Sequence, residues 1–191
     1  AKSVSIIGKL SAITAAFLLP VSLLERYLGN KNKVSMDDLA TVIFSSGSTG
    51  SPKGVMLSHY NIASNIQQVG QAFALDKDDR ILGVLPFFHS FGFTGTLWLP
   101  GILGSGAVYH PNPVDGRGVG SLVSDYGVTF LLATPTFLQI YMRACTPEQF
   151  GSVQLALVGA EKLPERLAVS FEDKFGLRSG SDILCTISTS P

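Results

Sequence analysis

The amino-acid sequence predicts an α/β fold, in which a layered, mostly parallel β-sheet is covered by helices on both faces. Hydrophobic residues make up 46% of the 191 residues and charged residues only 15%, so the chain can bury a sizeable core. Short runs of branched apolar residues show no alternation with polar ones, and most are followed by a segment with helical spacing. Strands of this kind are buried on both faces, as in parallel sheets.

The predicted elements alternate along the chain from residue 37 onward. The strands, rich in Val, Ile, Leu and Phe, are 39–45, 80–87, 106–110, 128–133 and 153–158, with a further run at 54–57. The helices, whose apolar residues recur every three or four positions, are 59–73, 121–126, 136–145 and 164–175. Pro164 favours the start of the last helix, since a first-turn residue needs no N–H. The run Gly116-x-Gly118-x-Gly120 is predicted to be a loop.

The N-terminal segment is apolar but short. Residues 10–24 (LSAITAAFLLPVSLL) are interrupted by Pro20, and the run is shorter than the about 20 residues that a spanning helix needs. No small-residue cleavage site follows it, which argues against a signal peptide. We expect a helix that packs against the rest of the protein, and an interfacial membrane helix over 10–28 is the alternative. The polar run 30–33 (NKNK) is predicted to be a linker.

Composition excludes several classes of function. The 14 basic and 14 acidic residues balance, so no global positive field recruits nucleic acid. Cys145 and Cys185 lie far apart without a disulfide pattern, which favours a reducing, cytoplasmic setting. His59, His89 and His110 are scattered and form no metal-binding motif, so no metal ligand is predicted.

One stretch, FSSGSTGSPKGV at 44–55, is rich in glycine and hydroxyl groups directly after a predicted buried strand. Gly47 and Gly50 let backbone N–H groups approach an anion closely, and Lys53 adds a charge suited to phosphate. The hydroxyl donors are Ser45, Ser46, Ser48, Thr49 and Ser51. The stretch predicts a phosphate-binding loop rather than a flexible linker, because it begins at a strand. Pro52 and the strand-like run that follows exclude a Walker A motif.

This loop, followed by SHYN, resembles the signature of the adenylate-forming superfamily, which includes acyl-CoA synthetases, luciferases and peptide-synthetase adenylation domains. LPFFHSFG at 85–92 resembles the family's second motif, and VGAEKLP at 158–164 resembles the segment whose small residues line the adenine slot. The resemblance, over about 37–177, implies part of the large N-terminal domain of such an enzyme. The nucleotide-binding residues that it implies are Ser45, Ser46, Gly47, Ser48, Thr49, Gly50, Lys53, Gly159, Ala160 and Glu161.

His89 in the second motif is implied to lie beside the acyl carboxylate. A histidine after a strand end can orient a carboxylate or contact a reacting phosphate. A histidine among Phe residues is otherwise most often a hydrogen-bonded core residue, and the motif favours the catalytic role. No side-chain nucleophile is needed, because fixed donors and a cation stabilise the charge that develops when a carboxylate attacks the α-phosphate.

In finer detail the chain looks like long-chain acyl-acyl-carrier-protein and acyl-CoA synthetases, including bacterial ones fused to a glycerophospholipid acyltransferase. Family members activate a fatty acid with Mg-ATP, release pyrophosphate, and pass the acyl group to a carrier-protein or coenzyme A thiol. The resemblance therefore implies ATP and Mg²⁺ as cofactors and a cytoplasmic enzyme. The apolar segment 10–28 would place it at the inner membrane.

The C-terminal residues depart from the family pattern. Where the family has Y-G-x-T-E, this chain reads SGSDILCTISTSP; Thr186 matches the threonine that contacts the α-phosphate, but Ile187 replaces the magnesium-binding glutamate. The ribose-binding aspartate and the C-terminal domain with its lysine have no counterpart here. We expect the chain alone to be inactive and to self-associate. The predicted organisation is a helical segment with linker at 1–36, a partial adenylation domain at 37–178 and a divergent tail at 179–191.

Three hypotheses follow from the sequence. The first is a fragment of an AMP-forming acyl-carrier-protein or acyl-CoA ligase. The second is a non-catalytic, membrane-associated or scaffolding module on the same half-fold, supported by the N-terminal apolar segment and the divergent tail. The third is an unrelated phosphate-binding NTPase, against which Pro52 argues.

Overall fold

The computed structural model describes residues 5–27, 34–46, 52–176 and 185–187. They belong to two compact units, Ala1–Asp38 and Leu39–Pro191. The predicted linker at 30–33 lies outside the described residues, and the boundary predicted after residue 36 stays a prediction.

The N-terminal unit contains two helices, α1 (Ile6–Leu18) and α2 (Val21–Tyr27). Ser5 caps α1, because its hydroxyl oxygen accepts a hydrogen bond from the N–H of Gly8 at 3.1 Å. Pro20 lies between the helices, where it can begin α2 but could not continue α1. No residue of α1 is buried. In the described part of the chain, every helix is too short or too polar to cross a membrane.

Two strands at the start of the second unit, β1 (Leu39–Ser46) and β2 (Pro52–Ser58), form an antiparallel hairpin. The strand predicted at 39–45 is present, but the prediction that it is buried in the parallel sheet is wrong. Phe44 is 73% exposed, and among the strands of the described residues β1 pairs only with β2. The connection 47–51 is long enough for a hairpin, whereas a parallel neighbour would need a crossover of a dozen residues or more. The predicted phosphate-binding stretch, 44–55, thus includes the end of β1 and the start of β2, and its middle part, 47–51, lies outside the described residues.

The main sheet has five parallel strands in the order β4-β3-β5-β6-β7. They are β3 (Arg80–Gly83), β4 (Gly106–Tyr109), β5 (Phe130–Ala133), β6 (Leu155–Gly159) and β7 (Cys185–Ile187). The predicted α/β fold with a mostly parallel sheet is confirmed. β7 lies in the tail for which the sequence predicted no element, and its pairing partner β6 is far away in the chain.

The helices of this unit largely follow the predicted ones. They are α3 (His59–Ala72), α4 (Ser90–Gly92), α5 (Leu99–Leu103), α6 (Gly116–Tyr126), α7 (Pro135–Ala144) and α8 (Glu165–Phe175), with a π-helical turn at Phe93–Trp98 and a 3₁₀ turn at Glu148–Phe150. α3 begins at a capping box, in which Ser58 and Asn61 each accept a hydrogen bond from the other's backbone N–H. Pro164 occupies the N-cap of α8 rather than its first turn.

Successive residues of the central strands enter two different hydrophobic cores. Leu131 and Ala133 of β5 face a core shared with α6, α7 and α8, while Phe130 and Leu132 face a second core shared with α3 and α5. β6 divides its residues in the same way. Because side chains alternate across a strand, a sheet covered on both faces requires apolar residues at consecutive positions. The hairpin joins the second core through Ala40 and Leu57.

The glycine run that was predicted to be a loop is instead the first turn and a half of α6. Asp115 caps this helix by accepting the N–H of Gly118 at 3.0 Å, and that hydrogen bond lowers the pKa of the Asp115 carboxyl. His110 Nε2 lies 3.2 Å from the same carboxylate. Glycine has a low helix propensity, so the sequence predicted a loop rather than a helix at these residues. Close packing of α6 against α7 outweighs that preference.

Replacing Gly116 with alanine is expected to destabilise the protein by about 1–3 kcal/mol, the usual cost of overpacking. A Cβ atom there would lie 2.6 Å from Cβ of Ala144 and 3.2 Å from Cγ2 of Ile140. Gly101→Ala is the matched control, since its added Cβ meets nothing within 4 Å and should favour helix α5 by about 0.5–1 kcal/mol. Urea unfolding measures both variants. Equal stability of the two would contradict the close α6–α7 packing.

Candidate functional site

The parallel sheet brings chemically active residues to one edge. His89 follows β3, Gly159 ends β6, and Thr186 lies in β7, where it pairs with Val158. Strands that run parallel have their carboxyl ends at the same edge, which is where α/β sheets bind ligands. Residues from the predicted catalytic and adenine-binding segments therefore lie at this one edge.

A cavity of about 350 Å³ opens on the face of this edge that α3 covers. It is lined mostly by apolar side chains, and its polar lining residues are Asn65, His89, Ser90 and Thr94. Leu132 and Leu157 of the central strands form part of its wall. A largely apolar cavity with a few polar groups is typical of a site for a small organic ligand.

His89 lines the cavity and also caps α4. Its Nδ1 accepts a hydrogen bond from the N–H of Phe91 at 3.3 Å. With Nδ1 as the acceptor, the neutral ring carries its proton on Nε2, which is then a donor. The side chain is exposed, so His89 is not a core histidine. The geometry suits a ring that is held by the backbone and offers a hydrogen bond to a carboxylate.

Gly159 and Ala160 also line the cavity. A Cβ atom on Gly159 would lie 3.1 Å from the ring of Phe91, so the glycine makes room for this ring. Ala160 has a φ of +68°, a left-handed conformation that costs a non-glycine residue about 1–2 kcal/mol. Such conformations are concentrated at functional sites.

The sequence did not single out the π-helical turn at Phe93–Trp98, although it shapes the cavity through Thr94 and Gly95. Thr96 is buried, and its hydroxyl donates to the carbonyl of Gly92 at 2.7 Å. The hydroxyl of Tyr109 donates to the Thr96 carbonyl, also at 2.7 Å. These two hydrogen bonds hold the turn in place, and single π turns are frequent at functional sites.

Only some of the remaining predicted site residues lie within the described residues. Lys53 is exposed on β2 and pairs across the hairpin with Ser45. Ser45 and Ser46 end β1, so they directly precede the 47–51 connection. The predicted loop residues Gly47, Ser48, Thr49 and Gly50 lie outside the described residues. Glu161 is exposed and accepts a hydrogen bond from the Thr136 hydroxyl at 3.5 Å, at the edge where the other site residues lie.

Another cavity, of about 750 Å³, lies at the opposite edge of the sheet. Asp76, Asp78 and Asp79 line it, and three carboxylates would repel a triphosphate. The candidate ligand site is the cavity that His89, Gly159 and Ala160 line. Over the described ranges, no group of three His, Cys, Asp or Glu residues could hold a metal ion.

Comparison with known proteins agrees with these features. A family model described as AMP-binding enzyme matches residues 9–183. The chain belongs to the AMP-binding enzyme family. The predicted membership of the adenylate-forming superfamily is thereby confirmed, and the hypothesis of an unrelated NTPase is wrong.

Two curated relatives and one solved structure illustrate the similarity to other AMP-binding enzymes. The chain is 32% identical over 149 residues to 4-coumarate–CoA ligase-like 4 of Oryza sativa subsp. japonica, covering 76% of the chain and 27% of that protein. It is 33% identical over 145 residues to a feruloyl-CoA synthase of Amycolatopsis sp., covering 74% and 29%. ATP-bound MatB from Rhodopseudomonas palustris superposes with a TM-score of 0.68 and 28% identity, covering 74% and 28%. The chain thus spans less than a third of each of these proteins.

Proposed function

We propose that this chain is part of an ATP-dependent, AMP-forming ligase that joins a fatty acid to the thiol of acyl carrier protein or coenzyme A. The observation that carries the proposal is the cavity in which His89, Gly159 and Ala160 meet. Its apolar walls suit a hydrocarbon chain, and its polar residues suit a carboxylate. By their names, the two relatives described above are a 4-coumarate–CoA ligase-like protein and a feruloyl-CoA synthase. A fatty acid is the substrate that we infer for this chain.

The first step of the proposed reaction needs no covalent enzyme intermediate. A carboxylate oxygen of the fatty acid attacks the α-phosphorus of ATP, the bond from that phosphorus to the bridging oxygen breaks, and pyrophosphate leaves. The Nε2–H of His89 holds the attacking carboxylate by a hydrogen bond. A second step then transfers the acyl group to sulfur and releases AMP, and the thiol gives up its proton.

The hairpin connection supplies the proposed triphosphate site. Ser45, Ser46 and residues 47–50 would donate hydrogen bonds to phosphate oxygens, and Lys53 would supply a positive charge. Mg²⁺ supplies charge neutralisation when it arrives with ATP. No residue of this chain is assigned as its ligand, because the described residues at the carboxyl edge offer no set of carboxylates for it. We propose a contact between Thr186 and the α-phosphate from its place beside Val158.

The proposed enzyme is cytoplasmic, where ATP, acyl carrier protein and coenzyme A are available, with α1 and α2 at the inner membrane. ATP–pyrophosphate exchange in the full-length protein tests the proposal. Fatty acids, tested over a range of chain lengths, should stimulate exchange more than coumarate or ferulate does. Stimulation by the aryl acids alone would overturn the fatty-acid assignment. No exchange with any acid would favour the non-catalytic module.

Replacing His89 with alanine in the full-length protein is expected to slow fatty-acid-dependent exchange about tenfold or more, because one hydrogen bond to a charged carboxylate contributes roughly 1.5–3 kcal/mol. ATP binding should change little, since His89 is proposed to contact the acid. Nucleotide binding and exchange are measured on the same preparation. Tyr126→Ala, at an exposed position of α6 outside the cavity, is the control and should leave exchange unchanged. Loss of folding without a separable kinetic effect would contradict the catalytic role.

A further inference from the structure

The sequence leaves the carbonyl of Thr96 without its α-helical hydrogen-bond partner. In an α-helix this carbonyl would accept the N–H of residue 100. Residue 100 is Pro100, which has no N–H and whose ring crowds the carbonyl four residues earlier. The chain forms the π-helical turn at Phe93–Trp98 just before this proline. The Thr96 carbonyl can therefore accept a hydrogen bond from a side chain elsewhere in the fold.

Tyr109, at the end of β4, supplies such a donor. Its hydroxyl donates to the Thr96 carbonyl at 2.7 Å. Burial raises the pKa of this hydroxyl, so the group keeps its proton at neutral pH and remains a donor. The Tyr109 ring lies over Gly83, its partner on β3, where a Cβ atom would overlap the ring. The ring of Phe87 stands edge-on to it, with centroids 5.7 Å apart, so the ring that carries the hydroxyl is itself held in place.

The turn forms part of the wall of the candidate ligand site, since Thr94 and Gly95 line that cavity. A Cβ atom on Gly95 would lie 2.7 Å from Cδ2 of Leu132, another wall residue, so the backbone of the turn packs closely there. Leu97 of the same turn lines a different cavity, of about 490 Å³, together with Tyr109. The turn is therefore closely packed towards Leu132 but borders open space near Tyr109, where a hydrogen bond has to hold it.

We propose that Tyr109 is a positioning residue, whose hydroxyl holds the π-helical turn in the shape that binds the acid. Tyr109 is not among the residues that line the ligand cavity, so it acts through the turn. The inference rests on the proposed function, in which this cavity takes a fatty acid. If the turn leaves this shape part of the time, the apparent affinity for the acid falls by the fraction of molecules that remain competent. The reaction of bound acid changes little, because His89 still holds the carboxylate.

Tyr109→Phe in the full-length protein tests this role, because it removes the hydroxyl and keeps the ring. We expect the KM for a saturated fatty acid to rise about fivefold to tenfold, the usual effect of losing one hydrogen bond. Maximal ATP–pyrophosphate exchange and the KM for ATP should stay unchanged. A variant that only folds less well would instead show lower maximal exchange at an unchanged KM for the acid, and that result would overturn the proposal.

Tyr141→Phe is the matched control. The hydroxyl of Tyr141 also donates to a backbone carbonyl, that of Pro113 at 3.2 Å, but this residue belongs to the core on the other face of the sheet. Its replacement should leave the KM for the acid unchanged. Thr96→Ser keeps the hydroxyl that donates to the Gly92 carbonyl and should retain the KM of the unmodified protein, whereas Thr96→Val should raise it.

Amide hydrogen exchange gives a measurement that does not depend on ligase activity. Residues 93–98 should exchange faster in Tyr109→Phe than in Tyr141→Phe or the unmodified protein, because the turn opens more often. Equal amide exchange of this segment in all three proteins would overturn the role of Tyr109. If no acid stimulates ATP–pyrophosphate exchange in the unmodified protein, the proposed function fails, and amide exchange still decides whether Tyr109 holds the turn.

Discussion

Lys53→Ala in the full-length protein is expected to lower ATP–pyrophosphate exchange by about one to two powers of ten. Lys53 follows the glycine- and hydroxyl-rich connection on β2 and lies across the hairpin from Ser45. A charge-assisted bond to a phosphate oxygen contributes roughly 1.5–3 kcal/mol, which sets the size of the effect. Thr49→Ala removes a neutral donor from the same loop, and its effect should be smaller.

The control for this prediction is Lys77→Ala, which removes an exposed lysine from the loop between α3 and β3. Exchange is measured at saturating fatty acid over a range of ATP concentrations, so that a change in ATP use is separated from a change in acid binding. Wild-type exchange in both Lys53→Ala and Thr49→Ala would show that this loop does not hold the phosphates.

Phe150→Ala is expected to lower the free energy of unfolding by about 3–5 kcal/mol, the usual range when a buried phenylalanine is truncated. Phe150 has no exposed surface, and its ring stacks on Phe175 with centroids 4.5 Å apart. Phe171 lies edge-on at 6.2 Å, and Tyr141 lies at 6.3 Å. The 3₁₀ turn thus joins α7 and α8 through one aromatic cluster, and truncation leaves a cavity between them.

Urea unfolding measures this effect, and loss of a cooperative transition counts as the expected result. Phe150→Leu retains much of the volume and should destabilise less. Val169→Ala, at an exposed position of α8, should change stability by less than about 0.5 kcal/mol. A Phe150→Ala variant as stable as Val169→Ala would contradict the role of this cluster in holding the helices.

Short-range sequence patterns correctly predicted most of the helices and strands around the site. The SHYN stretch contains its own capping residues, Ser58 and Asn61, and α3 begins there as predicted. The strand predicted at 128–133 is apolar at the consecutive positions 130–133, and these four residues are all buried in the centre of the sheet. These predictions succeeded because a helix cap depends on a neighbour only three residues away. A strand that is buried on both faces likewise has apolar residues at consecutive positions, which can be seen in the sequence.

The sequence by itself determined the α/β class, most elements and the motifs that place the chain among the AMP-binding enzymes. The tertiary structure alone decided that β1 and β2 form a hairpin, that the Gly116 run begins a helix, and that β7 adds to the sheet. It also decided which side chains share a cavity, since Asn65 of α3, His89 and Ala160 come from distant parts of the chain. These outcomes depend on contacts between residues far apart in sequence, which override local propensity and which no local pattern encodes.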